Sequence, residues 1–283
     1  MINANSILIC PLCRVPLCDE LHCHKCGAEY ERKHGVYNIV SDKISQGQQI
    51  LWNIPEEALA EDTDLADFVI TGNEWTEDYE SKKNDETKAA EKKLFACMEL
   101  LISRFTGTVC DLATGMGTML SLLLASENKN FDIVCTDISP NVLAYTRKAM
   151  GTDDDRVSYI AMDGRCTSAA DDTFDYITSY EAFGNIPDTA RVAREIYRML
   201  KPEGKLIIMG SYIEKASDSF ELAEMVGVER GLVEEYLIAD LRAAGFRNAV
   251  STVVAEAVWA ENSYDLVPIA GDKKRYCIIS AVK

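Results

Sequence analysis

Apolar positions in this chain change period along its length. Leu94, Met98, Leu101 and Phe105 recur at helical spacing, which predicts a helix ahead of a strand over 108–112. Beyond it, short apolar runs alternate with helical patterns. They predict a helix over 119–126, a strand over 132–136, a helix from Ser139 to about Met150, and strands over 157–162 and 174–179. A helix over 189–200, a turn at Lys201-Pro202-Glu203-Gly204 and a strand over 205–209 come next. A helical stretch through Glu234–Ala244 is stopped by Gly245, and strands over 250–259 and 276–282 close the chain. Ser139-Pro140 is the sharpest boundary, because a serine oxygen can accept a first-turn N–H and proline suits the first helical position. This alternation predicts an α/β fold with a doubly wound, Rossmann-like sheet.

Charge divides the chain further. Residues 1–40 carry 4 basic and 4 acidic residues, 41–93 carry 6 and 14, and 94–283 carry 19 and 28, for a net charge of −17. Three segments are expected: a cysteine-rich module over 1–40, an acidic helical linker or lid over 41–93, and the α/β domain over 94–283. Trp52, Phe68, Trp75 and Tyr79 lie in the middle segment, either as apolar staples of its helices or as a cover over a ligand. The acidic balance disfavours partners gripped through phosphates. No apolar run approaches the roughly 18 residues of a membrane span, and the first ten residues lack a signal-peptide pattern, so a cytoplasmic protein is expected.

Ten cysteines in such a chain read better as metal ligands and buried thiols than as disulfides. Cys10-Pro11-Leu12-Cys13 and Cys23-His24-Lys25-Cys26 are two C-x-x-C turns separated by residues 14–22. Each points two thiolates at one spot, and together they complete a tetrahedral shell for a structural zinc, with Gly27 easing the second turn. A redox pair or plain core packing is the competing reading, and His22 or His24 could replace a sulfur. Cys18 is a bystander, while Cys97, Cys110, Cys135 and Cys277 suit the core.

Candidate chemistry concentrates in Val109–Thr118, where an apolar strand ends in Asp111 and runs through Ala113, Thr114, Gly115 and Gly117 into a helix. Small residues let a ligand approach the backbone, and the helix start offers free N–H groups. The second strand ends in Asp137-Ile138 and the third in Asp163-Gly164. Three acids at consecutive strand ends line the crevice where such folds bind ligands. An acid just ahead of the turn disfavours a pyrophosphate and favours a ligand with a cationic part.

The run Asp111-x-Ala-x-Gly-x-Gly, Asp137, Asp163, Phe174-Asp175 and Met199-Leu-Lys-Pro-Glu-Gly204 resembles the class I S-adenosylmethionine-dependent methyltransferases of the type 11/25 kind, over about residues 94–283. Alanine stands at 113 where the family has its first glycine. The resemblance implies a seven-stranded sheet with an antiparallel last strand. It implies Asp111, Ala113, Thr114, Gly115 and Gly117 around the methionine part, Asp137 on the ribose, Ile138 on the adenine, and Asp163 and Gly164 at the adenine amino group. Tyr180 and Glu181, after strand four, would face the sulfonium and the acceptor. Glu181 is the candidate general base, and Tyr180 orients the acceptor or the sulfonium. Residues 217–233 are a candidate pocket wall made apolar by Met225, Val226 and Val228.

The N-terminal module, with Tyr30 and Gly35-Val-Tyr-Asn-Ile39, is similar to the zinc ribbons of some methyltransferases, including ribosomal RNA guanine-N1 enzymes. Four thiolates add negative charge to an already acidic chain. A small-molecule acceptor is therefore expected first, RNA second, and a non-catalytic cofactor-binding scaffold third.

Overall fold

The structure is a computed structural model describing residues 4–43, 54–60, 62–65, 77–151 and 154–283. Trp52, Phe68, Trp75 and Asp153 lie outside the described residues. The strands are β1 (Glu31–Lys33), β2 (Val36–Asn38), β3 (Gly107–Leu112), β4 (Phe131–Asp137), β5 (Val157–Ala161), β6 (Phe174–Tyr180), β7 (Leu200–Ile213), β8 (Arg247–Val258) and β9 (Lys273–Val282). Among the described residues they form one sheet in the order β1-β2-β5-β4-β3-β6-β7-β9-β8.

Pairing is parallel from β2 to β7, antiparallel where β9 enters between β7 and β8, and antiparallel again between β1 and β2. The chain lays β3, β4 and β5 outward to one side, then returns to place β6 and β7 on the other. The order reverses between β3 and β6, and a crevice at such a switch point is where open α/β sheets bind ligands.

Both faces are covered. Helices α3 (Asp85–Ile102), α4 (Thr118–Ala125) and α5 (Pro140–Met150) bring Leu94, Met98, Leu120, Leu123, Val142 and Leu143 into one apolar layer. On the other face, Val192, Ile196 and Met199 of α6 (Thr189–Met199) meet Leu237 and Leu241 of α9 (Glu234–Ala244). Each such side chain, fully buried, contributes about 1.5–3 kcal/mol. The helix starts follow local chemistry: Asn84 accepts from Thr87 N at 2.8 Å to open α3, and Ser139 accepts from Val142 N at 3.2 Å to open α5, with Pro140 first in the helix.

Two expectations need correction. The sheet has nine strands, not seven, because the hairpin β1–β2 of the cysteine module adds to the edge of β5, with Val36, Tyr37 and Asn38 opposite Tyr159, Ile160 and Ala161. The module also shares the main core: Leu8, Leu17, Leu21 and Ile39 pack in one cluster with Met162, Ala169 and Phe174. The turn expected at 201–204 lies inside β7. Pairing jumps from Phe174 opposite Leu200 to Tyr176 opposite Lys205, and Glu203 takes up the excess chain at φ +65°. A bulge of this kind keeps both flanks in the ladder.

Candidate functional site

At the C-terminal end of β3 the backbone turns sharply. Ala113 has φ +54°, Gly115 +52° and Gly117 +89°. A left-handed conformation costs a side chain about 1–2 kcal/mol, so Ala113 holds the turn under strain where glycine would not. Gly117 is required on two counts: its φ, and its packing, since a Cβ there would lie 2.8 Å from Thr146 Cγ2. Gly115 faces open space instead, with no atom within 4 Å of where its Cβ would stand. The turn is tied to the sheet through Thr114, whose N–H donates to Thr136 O at 2.7 Å and whose hydroxyl donates to Asp111 O at 3.1 Å. Gly115 N donates to Asp137 Oδ2 at 3.0 Å, and Ser139 N to Asp137 Oδ1 at 3.0 Å, so the second strand-end acid holds the turn while fronting the crevice.

These residues wall one end of a cavity of about 660 Å³ above the sheet. Asp111 is buried in that wall, and among the described residues its Oδ2 has no hydrogen-bond partner. Burial pushes its carboxyl up to about 7. A carboxylate so placed calls for a cation, since leaving a buried polar atom unpaired costs about 1–3 kcal/mol or more. Burial also raises the Asp137 carboxyl.

The other end of the cavity is built from distant segments. Tyr180 closes β6 with its ring edge-on to Phe95 of α3, the centroids 5.6 Å apart, and burial pushes its phenol well up. Glu181 follows at φ +49°, accepting from the Ser211 hydroxyl of β7. Glu91 of α3 pairs with Lys83 at 2.9 Å. Tyr79 of α2 (Glu77–Lys82) donates to Asp265 Oδ2 at 3.2 Å, and burial raises the Asp265 carboxyl. Lys274 sits 4.3 Å over the ring of Trp259. Val226 and Val228, after β7, complete the wall.

The cysteine pairs converge. The Sγ atoms of Cys10, Cys13, Cys23 and Cys26 all lie within 4.8 Å of one another, with Cys10–Cys26 at 3.6 Å and Cys13–Cys23 at 3.3 Å. Tetrahedral zinc–thiolate bonds of about 2.3 Å place sulfurs about 3.8 Å apart, so the set fits a metal with a closed shell. Neither His22 nor His24 belongs to the cluster, and Cys18 is exposed outside it.

The family profile described as a methyltransferase domain matches residues 110–208, which run from the glycine-rich turn into β7. Over those residues the chain is similar to methyltransferases. The demethylmenaquinone methyltransferase of Thermus thermophilus is 29% identical over 112 residues, 40% of this chain and 50% of that protein. Phosphoethanolamine N-methyltransferase 2 of Caenorhabditis elegans is 35% identical over 117 residues, 40% of this chain and 26% of that protein. The chain thus spans half or less of the length of these relatives. The crystal structure of the [4+2]-cyclase SpnF shares the fold at 22% identity with a TM-score of 0.53, covering 71% of this chain and 84% of that one.

Among the described residues, Asp111, Ala113, Thr114, Gly115, Asp137, Ile138, Gly164, Tyr180 and Glu181 all line the same cavity. Gly117 stands behind it, packed on α5. Asp163 is turned to Arg165, whose Nε and Nη2 donate to it at 3.1 and 2.8 Å, so its neighbours Met162 and Gly164 form the wall instead. Met225 is exposed. Sequence reasoning did not single out Glu91, Phe95, Trp259 or Asp265. Trp259 and Asp265 carried a signal: they sit in residues 259–272, joining antiparallel neighbours that need only about 2–5 residues between them.

Proposed function

We propose that this protein transfers the methyl group of S-adenosylmethionine to a small-molecule acceptor. The unpartnered oxygen of Asp111, buried beside the open face of Gly115, carries the reading, because it suits the ammonium of an amino-acid moiety. Ala113, Thr114 and Gly115 offer backbone to the rest of that moiety, with Gly117 permitting the turn. Asp137 keeps lone pairs for ribose hydroxyls, Ile138 packs on the adenine, and Gly164 bounds it. Asp163 acts one step back, bracing that wall through Arg165.

When bound, the sulfonium supplies an electrophilic methyl carbon to an in-line nucleophile. The chain's own part is mostly positioning and exclusion of water. Tyr180, braced by Phe95, bounds the space beside the reacting carbon and orients the acceptor. Glu181 takes the acceptor's proton as the new bond forms, its carboxylate oriented by Ser211. The four thiolates hold a structural zinc, leaving no open position for catalysis. Demethylmenaquinone and phosphoethanolamine, the acceptors in the relatives' names, are small molecules, and a net charge of −17 suits neither RNA nor DNA.

Methyl-labelled S-adenosylmethionine is added with the protein to a cell extract, which is then separated into small-molecule, protein and RNA fractions. Label in the small-molecule fraction is expected. Label in RNA alone overturns the acceptor class, and no label in any fraction, with cofactor binding intact, leaves a scaffold.

A further inference from the structure

We propose that the cysteine module is a clamp on the loop after β5, with Arg14 as its positioning residue, so that metal at Cys10, Cys13, Cys23 and Cys26 and cofactor in the cavity favour one another. The inference rests on the cavity's taking S-adenosylmethionine.

Arg14 follows Cys13 directly, at φ +57°, and its half-buried side chain reaches the loop after β5 and α6. Its guanidinium donates to Thr167 O at 2.8 Å, to Cys166 Sγ at 3.3 Å, and to both carboxylate oxygens of Glu195 at 3.0 and 2.8 Å. Glu195 is itself buried and accepts from Thr167 N and its hydroxyl at 2.9 and 2.7 Å. The module grips the same loop through its backbone. Ile9 N donates to Ser168 O and Ala170 N to Ile7 O, both at 2.8 Å, while Cys166 Sγ donates to Pro11 O at 3.2 Å and Ser168 Oγ to Ile39 O at 3.2 Å.

The gripped loop leads straight to the cavity. Cys166 N donates to Asp163 O at 2.9 Å, and Ser168 N to Met162 Sδ at 3.4 Å. Met162 N donates to the backbone oxygen of Asp137 at 2.8 Å, and Met162 and Gly164 form the cavity wall. From Pro11 of the first C-x-x-C turn to Asp137, the path is three hydrogen bonds joined by the short backbone between Met162 and Cys166. Residues 4–30 contain one helix of four residues and no strand, so beyond the core packing of Leu8, Leu17 and Leu21 their order draws on the metal's closing the two turns. An element ordered by one ligand and contacting the site of another couples the two, and the coupling is reciprocal in affinity.

The test uses the full chain, with zinc counted per protein, cofactor affinity measured by calorimetry, and hydrogen exchange compared between residues 162–170 and β7. Arg14→Met is expected to keep one zinc and normal exchange in β7, to exchange faster at 162–170, and to bind cofactor about tenfold more weakly. Arg14→Lys, which keeps the charge but lacks the fork, falls between. In the wild type, saturating cofactor should tighten zinc against a competing chelator by the factor by which zinc tightens cofactor, and Arg14→Met should shrink that shared factor. Equal cofactor affinity in Arg14→Met and wild type, both zinc-loaded, overturns the clamp, as does a zinc affinity indifferent to cofactor. If zinc-loaded wild type binds no cofactor, the proposed activity fails. The clamp is then decided by exchange at 162–170 in Arg14→Met, which supports it if faster and overturns it if unchanged.

Discussion

The two ends of the cavity are made in different ways. The end formed by the turn after β3 is largely backbone, assembled by three short segments at neighbouring strand tips around Asp111, Asp137 and Gly164. The opposite end is largely side chains, drawn from helices near residues 79–95, the tips of β6 and β7, and the connection 259–272. A backbone site on strand tips is fixed by the sheet and accepts one kind of ligand. A side-chain site on helices and loops can change residue by residue while the sheet stays put. Cofactor and acceptor are therefore expected to answer to separate substitutions.

The largest expected separation is at Glu181. Glu181→Gln should lower turnover about a hundredfold or more while leaving cofactor affinity within twofold, read by steady-state transfer of labelled methyl and by calorimetry. Equal losses in both would mean that the ends are not separate. Asp137→Ala should do the reverse. Losing charge-assisted bonds to ligand hydroxyls and to Gly115 N should weaken cofactor binding about 10- to 100-fold, with turnover at saturating cofactor retained.

Asp111 gives a pH signature confined to the end formed by the turn after β3, where the cofactor is proposed to bind. Its carboxyl is raised to about 7, so below that pH the cofactor-free protein holds it neutral. Affinity for a ligand presenting an ammonium should rise with pH up to about 7 and level off above, and Asp111→Asn should flatten the profile. The same raised value means that the native state holds this proton more tightly than the unfolded chain does. Cofactor-free stability should therefore fall as pH climbs from the ordinary carboxylate range toward 7, and Asn at 111 should remove that slope from urea unfolding curves. The smallest effect expected is at Ala113. Ala113→Gly relieves a left-handed alanine and should raise stability by about 1 kcal/mol with cofactor affinity unchanged, read from urea unfolding and calorimetry.

The same contrast explains what could be read from the sequence. Cys10–Cys26 and Asp111–Gly117 are local: their spacing alone sets which atoms converge, as do Ser139 and Pro140 at a helix start. The opposite end is non-local. Lys83 meets Glu91 within one helical region, yet nothing near Tyr79 announces Asp265, 186 positions away. The pairing of β2 with β5 was hidden for the same reason, because Val36-Tyr37-Asn38 would suit the edge of many sheets. At Lys201–Gly204 turn chemistry was present, but the ladder on both sides absorbed it as a bulge.

The hairpin at the sheet's edge also sets an order of events during synthesis. The four cysteines leave the ribosome before β5 and can take up metal ahead of it, but β2 has no neighbour on its open side until residues 159–161 follow. At roughly 5–20 residues per second, the intervening stretch of about 120 residues takes on the order of 6–24 seconds. A hairpin formed within that interval would have both edges unpaired, a template for pairing with neighbouring chains. The outer strand reads Glu31-Arg32-Lys33 and is exposed at every position. A charged, three-residue edge resists such pairing, so the side that gains no strand partner among the described residues is also the one already guarded while the partner of the other is still being made.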